Sequence, residues 1–161
     1  MDSVRIAPKI SARNDYNVLA SDIHNAYLKT DCRERVSVVV GPKFGSENGN
    51  NMLMRKVLYG LKSSGAAFRD FLAETMYAMV YRPIYVDSDL WLRPSVKPDS
   101  FKCYEYILCY VDDVLYISHN LRNLMKRIQE YFKLKDDKRE PPDVYIGDTL
   151  AKMKLDRGKY C

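Results

Sequence analysis

Asp112 and Asp113 stand side by side between two apolar, aromatic-rich stretches, Cys109-Tyr110-Val111 and Val114-Leu115-Tyr116. Like charges in such surroundings repel, and a divalent cation would relieve them. The pair alone also suits a solvated turn, although hairpin turns more often use Asn-Gly or Asp-Gly. A third carboxylate, Asp22, closes the apolar run Val18-Leu19-Ala20-Ser21, where a strand normally presents a packed residue. Its alternative is a helix cap for the segment from Asn25. The 90 residues from Asp22 to Asp112 are enough to return an antiparallel strand beside the pair, and three carboxylates could then converge. Oxygen-only ligands favour Mg²⁺ or Mn²⁺ over zinc, and two such ions ~4 Å apart suit in-line displacement at phosphorus.

Other reactive groups add less. His24 and His119 have no partner at metal spacing, so surface placement is expected for both. Cys32, Cys103, Cys109 and Cys161 form no C-x-x-C pair. On one strand, Cys103 and Cys109 would stand roughly 20 Å apart, so reduced, packed thiols are expected. Asp87-Ser88-Asp89 offers the D-x-D metal pair of a sugar-nucleotide transferase, but no nucleotide-binding α/β pattern accompanies it, and a polar strand entry is its alternative.

The elements that must position these residues are legible in the pattern. Lys102 to Tyr110 and Val114 to His119 read as the arms of a β-hairpin with Val111-Asp112-Asp113 at the tip. Asn120 then caps a helix bearing Leu121, Leu124, Met125, Ile128 and Phe132 at helical spacing. Asn17 to Ile23 reads as a buried strand and Arg35 to Val40 as a second, stopped by Gly41-Pro42. Gly45 to Asn51 reads as a loop, Met52 to Leu58 as extended and Tyr59 to Gly65 as a turn. Ala66 to Val80 reads as a helix carrying Phe68, Leu72, Met76 and Met79. A leading helix capped by Asp2 or Ser3 turns Val4, Ala7 and Ile10 inward, with Pro8 expected to bend or shorten it. Ile84 to Leu92 is ambiguous and ends before Pro94, Ser95 to Ser100 is a loop, and Val144 to Lys154 is a last strand. That order gives mixed α+β layer packing.

At 161 residues, 47% hydrophobic and 29% charged, the composition is that of a soluble globular protein, expected as one domain over residues 1–161. No run approaches the ~18 apolar residues of a membrane helix, so no membrane partner is expected. Met1-Asp2-Ser3 leads into mixed polar sequence rather than a secretory signal, and an intracellular setting is expected. The net charge of +5 is uneven: residues 1–118 hold 15 basic and 14 acidic groups, residues 119–161 hold 11 and 7. Such a bias permits a phosphate-backbone contact toward the C-terminal end.

Tyr110-Val111-Asp112-Asp113 resembles the catalytic box of reverse transcriptases. Leu58-Tyr59-Gly60-Leu61-Lys62-Ser63-Ser64 is similar to the distinctive loop of copia-type LTR retrotransposon polymerases. Ser21-Asp22-Ile23-His24-Asn25-Ala26-Tyr27-Leu28 resembles that family's first catalytic motif, an Asp followed five residues on by an aromatic. Tyr145-Ile146-Gly147 falls where the family carries a strand near the primer terminus. The resemblance covers about residues 3–150, with the motifs in order.

The resemblance implies an α+β, reverse-transcriptase-like palm: an antiparallel sheet backed by helices on one face, the carboxylates on the open face, and incomplete fingers and thumb. It implies an RNA-directed DNA polymerase working by two-metal nucleotidyl transfer with two Mg²⁺ or Mn²⁺ ions. Its partners would be an RNA or DNA template with primer and deoxynucleoside triphosphates. Asp22, Asp112 and Asp113 would be the catalytic, metal-holding carboxylates, with the Ile23 carbonyl a further ligand. Tyr27 would gate against a ribose 2′-OH, its alternative being an ordinary core tyrosine. Tyr59, Gly60 and Lys62 would line the nucleotide side, and Tyr145, Ile146 and Gly147 the primer side. Gly65 stands where the family usually has Pro, which should loosen the loop before the helix. The fingers, thumb and ribonuclease H parts of a parent polyprotein are expected to lie outside this chain, which would leave the isolated chain with little synthesis of its own. An intact element would work in cytoplasmic particles. The alternative is a non-catalytic retrotransposon remnant that at most binds nucleic acid weakly.

Overall fold

In the computed structural model, which describes residues 2–135, 144–145 and 148–149, Met1–His24 and Thr75–Cys161 form one compact unit and Asn25–Glu74 a second. The first unit is built on a sheet of β1 (Asn17–Asp22), β4 (Arg82–Pro83), β5 (Leu90–Val96), β6 (Lys102–Tyr110) and β7 (Asp113–Ser118). Its order is β1-β7-β6-β5-β4, antiparallel throughout. Strand β7, between β1 and β6, is buried from Val114 to Ser118, so it reads as a nearly continuous apolar run where a half-exposed strand would alternate.

Both faces of this sheet carry helices, against the single backed face expected. Leu90, Leu108, Leu115 and Ile117 form a buried cluster with Ala7 of helix α1 (Asp2–Asn14) and with Tyr16. Fully burying each such aliphatic side chain contributes about 1.5–3 kcal/mol. The opposite face carries Trp91, Arg93 and Glu105. There the Tyr77 ring meets Trp91 edge-on at 5.4 Å, and Arg93 donates to the Met79 carbonyl that also accepts from Arg127 of α3 (Leu121–Gln129). Pro8 does not end α1, which runs through it for 13 residues. Burial of Ala7 holds the helix there. Its end is closed by Tyr16 N–H on the Ser11 carbonyl and Ser11 Oγ on the Tyr16 carbonyl, both 2.9 Å.

The hairpin expected at Asp112-Asp113 is present, with Val111 and Asp112 as its two-residue loop and Asp113 already in register with Tyr110. Strand β5 departs from expectation by continuing through Pro94 to Val96. Strand β4 pairs only as far as Leu92. From Arg93 onward β5 is therefore an edge on that side, where a residue without an N–H is tolerated. Helix α3 starts as expected, the Asn120 side chain accepting from Asn123 N–H at 3.2 Å. It stops at Gln129, before the buried Phe132. In place of one strand over 144–154, Val144–Tyr145 (β8) pairs antiparallel with Asp148–Thr149 (β9); Ile146, Gly147 and residues 150–154 lie outside the described residues.

In the second unit the two expected strands shrink to a short hairpin, β2 (Ser37–Val39) with β3 (Asn51–Leu53). Val38, Val39 and Leu53 are exposed, so no packed face extends the pairing. A 3-10 segment at Pro42–Glu47 intrudes on the expected loop. Helix α2 (Ser64–Ala78) starts before Ala66, so Gly65 sits in its first turn rather than in a loosened loop. Phe68, Leu72, Met76 and Met79 are all buried, as their spacing requires.

Candidate active site

Antiparallel pairing of β1 with β7 runs in register from Asn17↔Ser118 to Asp22↔Asp113. A buried hydroxyl pair, Ser21 Oγ and Tyr116 Oη at 2.7 Å, fixes that register one residue from Asp22. A slip of one residue would turn every side chain to the other face, so this bond and the apolar rows behind it place Asp22 opposite Asp113. Past the strand end, Ile23 N–H donates to the Asp112 carbonyl at 2.9 Å. Strand pairing thus places Asp22, Asp112 and Asp113 at one end of the sheet, with Ile23 1% exposed beside them.

The segment after α3 closes the other side of Asp22. His24 N–H donates to the Lys133 carbonyl and Lys135 N–H to the Asp22 carbonyl, each at 2.8 Å, and Ile23 forms an isolated antiparallel bridge with Leu134. This brings Lys135 Nζ to 3.1 Å from Asp22 Oδ2. No pattern in the sequence points to Lys135; it arrives through pairing across 113 residues.

Burial, then the neighbouring Asp112 and Asp22, raise the Asp113 carboxyl above its ordinary value, with Lys135 opposing. Asp113 therefore holds its proton more tightly than an exposed aspartate, chiefly because it is partly buried and then because two carboxylates lie near it. The tip that carries them is strained. Val111 has φ +54°, in the left-handed region that a β-branched residue seldom enters. Two-residue hairpin loops need a positive φ at their first residue, normally supplied by Gly or Asn.

The donor set is entirely oxygen, which suits a hard divalent cation in kind. Among the described residues, however, no three His, Cys, Asp or Glu side chains lie close enough together to hold one, and Lys135 is the cation present on Asp22.

The remaining expected residues fall in the second unit. Tyr27 is buried, its ring edge-on to Tyr59 at 4.3 Å and to Phe68 at 5.6 Å. Tyr59, Gly60 and Lys62 are exposed, and Gly60 has φ +95°, a conformation that favours glycine. The structure thus brings Tyr27 and Tyr59 together. Tyr145 lies in β8, whereas Ile146 and Gly147 lie outside the described residues. Asp87-Ser88-Asp89 forms the turn into β5, Asp87 Oδ1 accepting from Asp89 N–H at 2.9 Å, which is the polar strand entry. Cys103 and Cys109 are buried free thiols on β6.

Residues 1–150 match the family model described as reverse transcriptase (RNA-dependent DNA polymerase). The chain is 31% identical over 156 residues to the Transposon Ty1-BL Gag-Pol polyprotein of Saccharomyces cerevisiae, a match covering 91% of this chain and 8% of that polyprotein. The Ty1-DR4 Gag-Pol polyprotein of the same yeast is 31% identical over 91% of this chain and 9% of its own length. This chain therefore spans less than a tenth of the curated relatives it matches. Their copia-type ancestry and the match over nearly the whole sequence make the chain a partial member of the copia-type reverse transcriptase family.

Proposed function

We propose that this chain carries the palm catalytic centre of an RNA-directed DNA polymerase, joining deoxynucleoside triphosphates to a primer on an RNA or DNA template. The observation that carries this reading is the β1–β7 register, which sets Asp22 opposite Asp113 beside Asp112. Asp22, Asp112 and Asp113, with the Ile23 carbonyl, would hold divalent Mg²⁺ or Mn²⁺ only once Lys135 releases Asp22 and the three carboxylates draw together. When bound, such ions would supply charge stabilisation at the reacting phosphate and a lowered pKa at the primer hydroxyl. The chain's own part is to hold those oxygens at the end of a rigid sheet and to keep Asp113 sensitive to added positive charge. Tyr27 would exclude a ribose 2′-OH, since a ring packed between Tyr59 and Phe68 has little freedom to yield. Tyr59, Gly60 and Lys62 would line the nucleotide side, and Tyr145, Ile146 and Gly147 the primer side.

The test is substitution of these 161 residues for the matching segment of a Ty1 Gag-Pol reverse transcriptase, assayed by primer extension on poly(rA). Synthesis by the chimera, abolished by Asp112→Asn, is the expected result. Tyr27→Ala should then admit ribonucleotides, whereas Asp87→Asn should leave extension unchanged. A folded chimera that synthesises nothing would favour the non-catalytic remnant. Loss of activity in Tyr27→Ala with discrimination intact would return Tyr27 to the core.

A further inference from the structure

At the other end of the sheet from the carboxylates, a pocket of about 530 Å³ opens between β5, β6 and the start of α3. Asp113 opens β7 and Ser118 closes it, so five residues at ~3.4 Å each separate the two ends by roughly 17 Å. Arg93, Glu105, His119, Asn120, Asn123 and Arg127 line it. Arg93 Nη1 and Arg127 Nη2 both donate to the Met79 carbonyl, each at 3.3 Å. Two guanidinium charges are therefore gathered on one neutral acceptor.

Among the described residues one carboxylate lines the pocket, and it is taken. Glu105 is 4% exposed, receiving Arg93 Nε at 2.9 Å and Ser118 Oγ at 3.1 Å. Among the described residues Arg127 has no carboxylate partner, and its remaining N–H groups have no acceptor. The lining thus carries one unmatched positive charge, with the Asn123 side-chain amide beside it; the Asn120 and Asn123 backbone N–H groups already donate to Ser118 Oγ and Asn120 Oδ1. Repulsion between gathered like charges is relieved by an opposite charge, and a guanidinium fork suits oxyanions. Donors reach the pocket from two directions, strand and helix, which surrounds a tetrahedral group better than a planar carboxylate.

We propose that this pocket binds a phosphoryl group, with Arg127 as its principal charge and Arg93, held by Glu105, as the fixed wall. The site is separate from the catalytic carboxylates and does not depend on their function. The test is titration of the purified chain with inorganic phosphate at constant ionic strength, followed by ³¹P line broadening and by melting temperature against chloride. Saturable binding is expected, weakened about tenfold or more by Arg127→Gln. Arg127→Lys should be intermediate, since it keeps the charge without the fork. Lys43→Gln, at an exposed cation outside the lining, should bind as the parent does. Asn123→Ala gives a second reading should Arg127→Gln fail to fold, and should also weaken binding. Competition by a short oligonucleotide would assign the site to backbone phosphate, and indifference to it would assign a free anion. Phosphate without effect beyond chloride, or binding unchanged in both Arg127→Gln and Asn123→Ala, would overturn the proposal.

Discussion

Asp113 and Val111 show how much of the site's cost is carried by single residues. Because the Asp113 carboxyl is raised by burial and by Asp112 and Asp22, the folded chain binds that proton more tightly than the unfolded chain. The resulting destabilisation is absent below the unfolded pKa and grows as pH rises through the folded one. At neutral pH in EDTA, Asp113→Asn should therefore raise the melting temperature, and the gain should vanish toward acid pH. Millimolar Mn²⁺ should raise the melting temperature of the parent more than that of the mutant. A destabilised Asp113→Asn in EDTA, with neither protein responding to Mn²⁺, would remove the carboxylate site altogether. Val111 is the backbone counterpart: a φ of +54° on a β-branched residue costs about 1–3 kcal/mol, whereas glycine's entropy cost is about 0.5–1. Val111→Gly should thus stabilise by about 1 kcal/mol, read as a shift in urea midpoint. The adjacent carboxylates were legible because like charges on apolar arms are conspicuous. The Lys135 contact and the Val111 strain were not, since each exists only once distant strands are in register.

At the scale of elements, the sequence was most informative where burial enforces a period. The hairpin arms and the start of α3 fall where expected because Leu108, Leu115, Leu124 and Ile128 must all be covered. Asn120→Ala should cost about 1 kcal/mol by removing the cap, with Asn120→Asp nearly neutral, both measurable by urea denaturation. Reading failed where the deciding partner is remote or missing. Pro94 signals a strand end locally, yet β5 passes through it because β4 has already stopped. Val38 and Val39 signal a longer strand, but both are exposed and the pairing ends after three residues. The β5–β6 pair also carries a buried ion pair, Arg93–Glu105, that alternation cannot distinguish from two surface charges. Glu105→Leu should cost about 3–5 kcal/mol by leaving Arg93 buried and unmatched, and Arg93→Met on top of it should recover most of that loss. Additive losses in the double mutant would show that the two side chains do not act as a pair.

For the whole molecule, the net charge of +5 matters less than where it resides. Residues 1–118 hold 15 basic and 14 acidic groups and residues 136–161 hold six of each, whereas residues 119–135 hold five basic groups and one acidic. The excess is therefore concentrated on α3 and the segment that zips onto Asp22. Lys135 is occupied by that carboxylate and Arg127 donates to the Met79 carbonyl, while Arg122, Lys126 and Lys133 are exposed. A polymerase of the kind proposed must hold duplexes of any sequence, and such binding rests on phosphate contacts whose strength falls with salt by about 0.9 log units per contact for each tenfold rise. If α3 supplies those contacts, replacing Arg122 and Lys126 together by Gln should flatten the salt dependence of duplex binding by about 1.8. Fluorescence anisotropy of a labelled RNA–DNA hybrid across a chloride series measures that slope directly. The two side chains are exposed and remote from the buried rows, so stability should change little, and a lost slope would report lost contacts rather than a lost fold. A slope identical to the parent's would place the nucleic acid elsewhere on the chain and leave the α3 charges as a solvated face.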